Sequence, residues 1–254
     1  MHDRRSALRV AFGAAATLCP LCTAGGAAAA GVKWSYEGEG GPPVWGKLAP
    51  EFQACSAGRE QTPIDLKEGI KAETGMLSYA YKRMPVRILN NGHTIQVNCL
   101  AGSQVQIGSQ TYDLLQYHFH HPSEHILAGQ RFELELHLVH RNKAGDLAVA
   151  GVFIRAGAAN ATLQSLWSVM PAKAGPEKWT SVSLNPDRLL PTNSIYYRYY
   201  GSLTTPPCSE GVLWTMYKEP IEASEAQIRQ FAALFPNNAR PVQPLNRRFL
   251  LSSG

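Results

Sequence analysis

Short runs of alternating apolar and polar residues fill most of this 254-residue chain, and they constrain its fold more than any other feature. Successive side chains of a β-strand point to opposite faces, so such alternation predicts strands with one buried face. Turn-forming residues such as Asn90-Asn91-Gly92 separate the runs. The predicted strands cover residues 86–89, 94–99, 105–107, 114–120, 132–140, 147–154, 194–201 and 212–217.

Helical patterns are few and short. One runs from about Thr162 to Met170 and ends at Pro171, and a second follows Ser224 with apolar residues on one face at Ile228, Phe231 and Leu234. No repeat or linker divides residues 31–254, a length that suits one domain with a full core. We predict a single, mainly β domain with short peripheral helices. The runs alone leave a sandwich or a barrel open as well.

The first thirty residues have the pattern of a secretory signal. A basic start with Arg4-Arg5 leads into small and apolar residues that end near Ala30, where cleavage is predicted. The arginine pair leaves both the general secretory route and the twin-arginine route open. Gly13 and Pro20 interrupt the stretch, and no later segment has the ~18 consecutive apolar residues of a membrane span. We therefore predict a periplasmic or secreted protein without a span, with the signal at 1–30 and the domain at 31–254.

Charge and cysteine content narrow the class of protein further. The net charge is +5, but acidic and basic residues are interspersed, so we predict no nucleic-acid partner. Three of the five cysteines follow the signal: Cys55, Cys99 and Cys208. An exported chain meets an oxidising compartment, so one disulfide and one thiol are expected. Cys99 continues the apolar face of the run 94–99, which predicts a buried free thiol.

Three histidines lie where strand geometry can bring their rings together. His118 and His120 are two residues apart, so both project from one face of their strand. Glu135 and His137 likewise share a face of the run 132–140, and His137 supplies a third ligand if the two runs are antiparallel neighbours. Three imidazoles suit Zn²⁺ and leave its fourth position open to water, whereas structural zinc sites usually have four protein ligands. The pattern therefore favours a catalytic zinc site.

Most histidines in proteins are surface side chains or are held by ordinary hydrogen bonds. We assign His121, His125 and His140 to that class. The alternation also points His121 and His140 away from the ligand face.

Seven stretches of the chain, in order and spacing, resemble the α-class carbonic anhydrases. They are QTPID at 61–65, LNNGH at 89–93, QYHFH at 116–120, SEH at 123–125, ELHLVH at 135–140, SLTTPPC at 202–208 and RPVQPL at 240–245. The resemblance implies a central, twisted, mostly antiparallel sheet of about ten strands. It also implies an enzyme that reversibly hydrates carbon dioxide to bicarbonate and a proton by means of a zinc-bound hydroxide.

The same resemblance implies a role for each matching residue around the zinc ligands His118, His120 and His137. Thr204 accepts a hydrogen bond from the hydroxide and donates its own to Glu124, and His93 is the proton shuttle. The remaining roles are ligand support by Gln116, Glu135 and the backbone carbonyl of Asn238; bicarbonate or anion binding by Thr205; a pocket wall of Val139, Val149, Leu203 and Trp214; and organisation of the shuttle waters by Tyr36, Asn91 and Gln96. Gln96 replaces the asparagine of the vertebrate enzymes, which implies a variant water network.

We further predict a Cys55–Cys208 disulfide, which would tie the loop of Thr204 to the N-terminal region. The family implies inhibition by sulfonamides and small anions, a monomer or homodimer, and weak esterase side activity. Two rival functions remain: a different three-histidine zinc hydrolase, and an acatalytic binding or adhesion module. Relatives of the second kind typically lose a zinc histidine, whereas this chain keeps all three.

Overall fold

The computed structural model describes residues 31–254, so the predicted signal and its cleavage site lie outside the described residues. None of the helices in this part of the chain is long and apolar enough to cross a bilayer. The strands are β1 Asp65–Leu66, β2 Ile70–Lys71, β3 Leu77–Ala80, β4 Met84–Asn90, β5 Ile95–Asn98, β6 Gln104–Ile107, β7 Gln110–His120, β8 Ile126–Leu127, β9 Leu134–Arg141, β10 Leu147–Ala156, β11 Lys178–Leu184, β12 Tyr196–Ser202, β13 Glu210–Tyr217, β14 Ile221–Ala223 and β15 Leu251–Ser252. The α-helices are α1 Trp45–Leu48, α2 Ala54–Ala57, α3 Ala161–Trp167 and α4 Glu225–Ala232, with 3-10 turns at Gly38–Gly40, Pro42–Val44, Pro50–Phe52 and Pro186–Leu189.

One large sheet organises the domain. Ten of its strands follow the order β11-β4-β5-β7-β9-β10-β13-β12-β15-β2, and β3, β6 and β14 attach at its sides. Most neighbours are antiparallel; β10 runs parallel to β13 and β14, and β15 runs parallel to β2. The prediction of a central, mostly antiparallel sheet of about ten strands with short peripheral helices is confirmed; β1 and β8 form a separate, parallel two-stranded sheet. The sandwich and barrel alternatives are wrong.

The alternation of β7 and β9 divides the sheet into an apolar face and a polar face. Leu136, Leu138 and Phe119 belong to the main core cluster, where the Phe119 ring lies 4.8 Å from that of Trp167 in α3. The helices α3 and α4 therefore cover this face. Because β-strand side chains alternate, the residues between these core positions project from the opposite face. The polar residues of β7 and β9 thus meet on the side of the sheet away from α3 and α4.

The two predicted helices form, with one shorter than expected. A capping box joins Ser224 and Gln227 at the start of α4. The helix α3 ends at Trp167, three residues before the predicted end, and Val169 and Met170 make i to i−3 turns instead. Pro171 accounts for this end, because a proline disfavours helical backbone in the residue before it.

Most of the strands that sequence patterns missed show little alternation; β3 is an exception, since its burial alternates over four residues. Four of these strands have only two residues each, which is too few for an alternation to appear: β1, β2, β8 and β15. The edge strand β11 is mostly exposed, and its pairing with β4 shifts between Trp179 and Ser183. Such a strand lacks the buried stripe on which sequence interpretation depends.

The predicted disulfide is present and fixes the loop of Thr204. Cys55 and Cys208 are bonded with a Cα–Cα distance of 5.0 Å and are 153 residues apart in sequence. Cys99 is a partly buried thiol that packs against the main core, and its burial raises the thiol pKa to about 12. A thiol with so high a pKa is poorly reactive at neutral pH, because the thiolate is the reactive form.

We expect Cys55→Ser to lower the free energy of unfolding by ~2–5 kcal/mol, because the bond closes a long loop in the unfolded chain. Denaturant titration of the oxidised protein measures this change. Cys99→Ser serves as the control and should keep the bridge detected by mass spectrometry of the non-reduced protein. Equal stability of Cys55→Ser and the parent protein would contradict the stabilising role.

Candidate metal centre

Three imidazoles converge on the polar face of the sheet. The antiparallel register of β7 and β9 places His118 opposite His137, and His120 opposite Glu135. One ring nitrogen from each histidine lies within 4.8 Å of the others. The ring centroids are 5.1 Å apart for His118 and His120, 5.2 Å for His118 and His137, and 4.6 Å for His120 and His137. The antiparallel pairing on which the third ligand depended is thus observed.

In each of the three rings, one nitrogen faces the other two histidines, and the second nitrogen makes a hydrogen bond that fixes the orientation of the ring. Metal-ligating histidines usually have such outer partners. The bonds join His118 Nδ1 to Gln116 Oε1 at 2.8 Å, His120 Nδ1 to the Asn238 carbonyl at 2.7 Å, and His137 Nε2 to Glu135 Oε1 at 2.6 Å. These are the three supporting residues that the sequence predicted.

The remaining nitrogens make the donor set suitable for zinc. They are Nε2 of His118, Nε2 of His120 and Nδ1 of His137. Within residues 31–254, the buried Nε2 of His120 has no hydrogen-bond partner. An unpaired buried polar atom is costly, and a metal ion would satisfy it. Three nitrogen ligands with an open fourth position fit catalytic zinc.

Burial keeps the imidazoles of His118 and His120 neutral at neutral pH. It lowers the pKa of His118 well below its usual value, and His120 and His137 lower that pKa further. Burial is also the main cause of the lowered pKa of His120. A metal ion binds the neutral ring, so these two histidines need not lose a proton before binding at neutral pH.

His125 is buried and contacts the carboxylate that supports His137. The sequence interpretation placed it among the histidines without a role. Its Nδ1 lies 2.6 Å from Glu135 Oε1, the atom that also meets His137, and its Nε2 lies 2.7 Å from the Tyr199 hydroxyl. Burial alone would raise the pKa of Glu135, but His125 and then His137 outweigh it and hold that pKa well below its usual range. Glu135 is therefore a carboxylate that both rings share. The SEH motif at 123–125 contains the signal that could have identified His125.

Glu124 lies beside the ligand nitrogens, fully buried. Its Oε1 accepts the Arg240 backbone N–H at 2.8 Å, while Oε2 lies 3.5 Å from His120 Nε2. Oε2 has no hydrogen-bond partner in the described part of the chain, so the predicted bond from the Thr204 hydroxyl is not formed here. The carboxylate turns this oxygen towards the imidazoles. Thr204 itself is buried in the turn that leads to Cys208, and the Thr205 carbonyl accepts the Cys208 N–H at 2.9 Å.

The predicted apolar wall forms one row across three strands. Val139 pairs with Val149, and Val149 pairs with Trp214, so the three lie side by side on the face that carries His137. The Trp214 ring is 4.9 Å from the His137 ring. Leu203 packs against the cluster that contains this row. The structure therefore places an apolar surface directly beside the three imidazoles.

His93 is half-buried at the end of the turn after β4. Its ring stacks on Trp34 at 3.7 Å and lies 6.4 Å from Tyr36, and its carbonyl accepts a bond of 2.9 Å from Asn238 Nδ2. Burial lowers the pKa of His93, so the ring is neutral and able to accept a proton at neutral pH. Trp34 is a contact that no sequence pattern indicated. Asn238 connects the shuttle candidate to His120, whose Nδ1 meets the carbonyl of the same residue.

The three predicted water-organising residues lie near the same end of the site. Gln96 is the cross-strand partner of His118, and its Oε1 is 3.4 Å from Asn91 Nδ2. Burial raises the pKa of Tyr36 well above its usual value, and the Glu124 charge raises it further. Tyr36 therefore keeps its hydroxyl proton and can serve as a donor.

Comparison with known proteins gives a consistent result. A family model described as eukaryotic-type carbonic anhydrase matches residues 40–254. The chain is 46% identical over 238 residues to a carbonic anhydrase of Nostoc sp., covering 91% of this chain and 90% of that protein. It is 42% identical over 221 residues to a carbonic anhydrase of Pectobacterium carotovorum, covering 87% and 91%. The solved structure of the α-carbonic anhydrase from Thermovibrio ammonificans, in complex with the inhibitor sulfanilamide, is similar with a TM-score of 0.85 at 42% identity, covering 87% of this chain and 99% of that one.

Proposed function

The chain belongs to the eukaryotic-type carbonic anhydrase family, whose general reaction is the hydration of carbon dioxide, and from this premise we propose a zinc-dependent mechanism with a histidine proton shuttle. The observation that carries the proposal is the convergence of three imidazoles, each oriented by a hydrogen bond from its second ring nitrogen. His118, His120 and His137 would hold the zinc. When bound, Zn²⁺ lowers the pKa of water to about 7 and so supplies hydroxide at neutral pH, a value that is known for carbonic anhydrase itself.

The protein's own residues orient the reactants and keep the pocket dry. The row of Val139, Val149 and Trp214 offers an apolar surface to carbon dioxide, which has no charge to be solvated. The Thr204 hydroxyl would accept a bond from the nucleophilic oxygen and donate to Oε2 of Glu124, the oxygen that is buried without a partner within residues 31–254. Fixed donors and acceptors of this kind act strongly where water is excluded. Thr205 would bind the bicarbonate product.

Proton export would use His93. Hydration releases a proton at a buried centre, and a neutral imidazole can accept it and pass it to buffer. Asn91, Gln96 and Tyr36 would order the water molecules that bridge the centre and His93. The hydrogen bond from Asn238 to the His93 carbonyl supports this role, because Asn238 also contacts His120.

Export, inhibition and side activity are part of the same proposal. We propose that the chain is exported, since its first thirty residues have the pattern of a secretory signal. We expect sulfonamides to inhibit it, since the similar T. ammonificans enzyme is described with sulfanilamide as its inhibitor. Esterase activity is expected only as a weak side reaction. The alternative of an acatalytic module lacks support, because the chain keeps the three histidines, Glu124 and Thr204.

The proposed function is tested by stopped-flow measurement of carbon dioxide hydration together with zinc analysis. We expect about one zinc per chain, loss of hydration after chelation and recovery on adding Zn²⁺. A zinc-loaded protein without hydration activity would contradict the enzymatic role. Hydration that survives complete removal of metal would contradict the mechanism.

We expect His93→Ala to lower kcat by ~10- to 100-fold in dilute buffer while kcat/KM for carbon dioxide stays nearly unchanged. The reason is that kcat/KM covers events up to bicarbonate release, whereas turnover also needs the proton to leave. The expected fall in kcat is at the low end for the loss of an acid–base group, because bulk water carries part of the proton flux. Stopped-flow kinetics at several buffer concentrations provide the measurement.

Concentrated imidazole provides the control for the shuttle. It should restore most of the lost kcat in His93→Ala and change the parent enzyme little, because it carries the proton directly. An unchanged kcat in dilute buffer would make His93 a bystander.

A further inference from the structure

A row of hydrogen-bonded side chains runs from the edge of the sheet to Asn91. It begins at Glu177, whose Oε1 accepts two bonds from the Arg87 guanidinium at 2.9 and 2.7 Å. Oε2 of the same carboxylate accepts a bond of 2.5 Å from Asn98 Nδ2. Asn98 Oδ1 accepts from Gln96 Nε2 at 2.7 Å, and Gln96 Oε1 faces Asn91 Nδ2 at 3.4 Å. The row therefore joins a partly buried ion pair to two of the residues expected to order the shuttle waters.

The register of the sheet puts this row on the face that carries the imidazoles. Arg87 pairs with Asn98 across β4 and β5, and Asn98 pairs with Gln116 across β5 and β7. Gln96 pairs with His118 in the same ladder. Directly paired residues project from the same face. The row thus lies one strand away from a predicted metal ligand and its support.

The carboxylate of Glu177 sets the direction of every amide in the row. An ionised carboxylate only accepts hydrogen bonds, whereas an amide has a donor end and an acceptor end. Asn98 must therefore turn its NH₂ group towards Glu177, which leaves its oxygen for Gln96. Gln96 must in turn give its NH₂ group to Asn98, which leaves Oε1 directed at Asn91.

The opposite end of the row requires the same direction. Asn91 Oδ1 accepts the backbone N–H groups of His93 and Thr94, both at 2.9 Å. Its NH₂ group is then the one that faces Gln96. The fixed backbone at one end and the carboxylate at the other therefore agree, and Gln96 has a single compatible orientation.

We propose that Glu177 is a positioning residue for proton transfer, which acts through Asn98 to keep the oxygen of Gln96 as the acceptor beside the shuttle waters. The inference rests on the proposed function, since it concerns the waters between the metal centre and His93. A second lone pair on the Gln96 oxygen stays available to water. If the Gln96 amide were reversed, its NH₂ group would face the NH₂ group of Asn91. Two donors would then meet where an acceptor and a donor now face each other.

Glu177→Gln tests the proposal because it inserts a donor into the row. The charged Arg87 would take the single oxygen of the new amide, since charge-assisted bonds are the stronger ones. The NH₂ group of the new amide would then face the NH₂ group of Asn98. To avoid two facing donors, the Asn98 amide would have to reverse, and the Gln96 amide would have to reverse in turn. We expect kcat in dilute buffer to fall roughly three- to tenfold, a fraction of what a full acid–base group contributes. kcat/KM should stay within about twofold.

A double variant distinguishes orientation from general damage. Asn98→Asp combined with Glu177→Gln exchanges the carboxylate and the amide, so Asp at 98 accepts from both neighbours and Gln96 keeps its direction. We expect this variant to recover at least half of the lost kcat. Glu222→Gln is the matched control, because it weakens the ion pair of Glu222 with Arg155 at 2.8 Å away from the row, and it should leave kcat unchanged.

The side-chain amide NMR signals of Asn91 and Gln96 give a readout that does not depend on activity. They should shift in Glu177→Gln and return towards their original positions in the double variant. An unchanged kcat in Glu177→Gln, an equal fall in kcat/KM, or a double variant without recovery would overturn the inference while the parent enzyme stays active. An inactive zinc-loaded parent would instead overturn the proposed function and this inference with it.

Discussion

His137→Ala is expected to abolish carbon dioxide hydration and most zinc binding while leaving a folded protein. The substitution removes one of the three proposed ligands, and the two that remain cannot hold the ion in the geometry of a catalytic site. His137 is also one of the two rings that share the Glu135 carboxylate. Stopped-flow hydration, metal analysis by mass spectrometry and circular dichroism measure the three properties.

His140→Ala is the matched control for this variant. His140 lies on the same strand and is equally buried, at 1% exposure, but its Nε2 meets the Tyr81 hydroxyl at 2.6 Å on the opposite face. Its loss should lower stability, because it leaves the hydroxyl of the partly buried Tyr81 without this partner, yet zinc content should be kept. Full hydration activity or one zinc per chain in His137→Ala would overturn the ligand assignment.

The local part of this site could be predicted from the sequence because strand geometry is strictly periodic. A separation of two residues places His118 with His120, and Glu135 with His137, on common faces in any β-strand. That the two strands are neighbours could not be derived from the alternation, since register depends on the whole sheet. The observed pairing of His118 with His137 supplies this missing step.

Contacts between distant parts of the chain carry the features that the sequence did not indicate. The Arg240 N–H reaches Glu124 across 116 residues, and the Asn98 amide reaches Glu177 across 79. No periodic signal connects such positions, because Glu124, Glu177 and Arg240 lie outside the strands and helices. The fold alone brings them together, and sequence resemblance identifies them only where a motif includes them.

Glu124→Gln is expected to lower kcat/KM for carbon dioxide by ~100- to 1000-fold, or about 2.7–4 kcal/mol of transition-state stabilisation. The Arg240 N–H occupies one oxygen of Glu124, so the single oxygen of glutamine must stay there. The NH₂ group then takes the place of Oε2, and a hydroxyl from Thr204 can no longer donate to it. That hydroxyl would turn its proton towards the nucleophilic oxygen and spoil its orientation. Stopped-flow hydration with parallel zinc analysis is the measurement.

Two comparisons make this prediction specific to orientation. Glu133→Gln is the control, because Glu133 also accepts a backbone N–H, from Ala156 at 3.2 Å, but is outside the site, so its activity should be normal. Thr204→Ala should cost as much as Glu124→Gln, and the double variant little more than either, because both residues would act through the one hydrogen bond that we propose between them. Zinc content should stay near one per chain in all of them. Zinc loss in step with activity, or fully additive effects in the double variant, would show that Glu124 supports the fold of the site and does not orient the reacting oxygen.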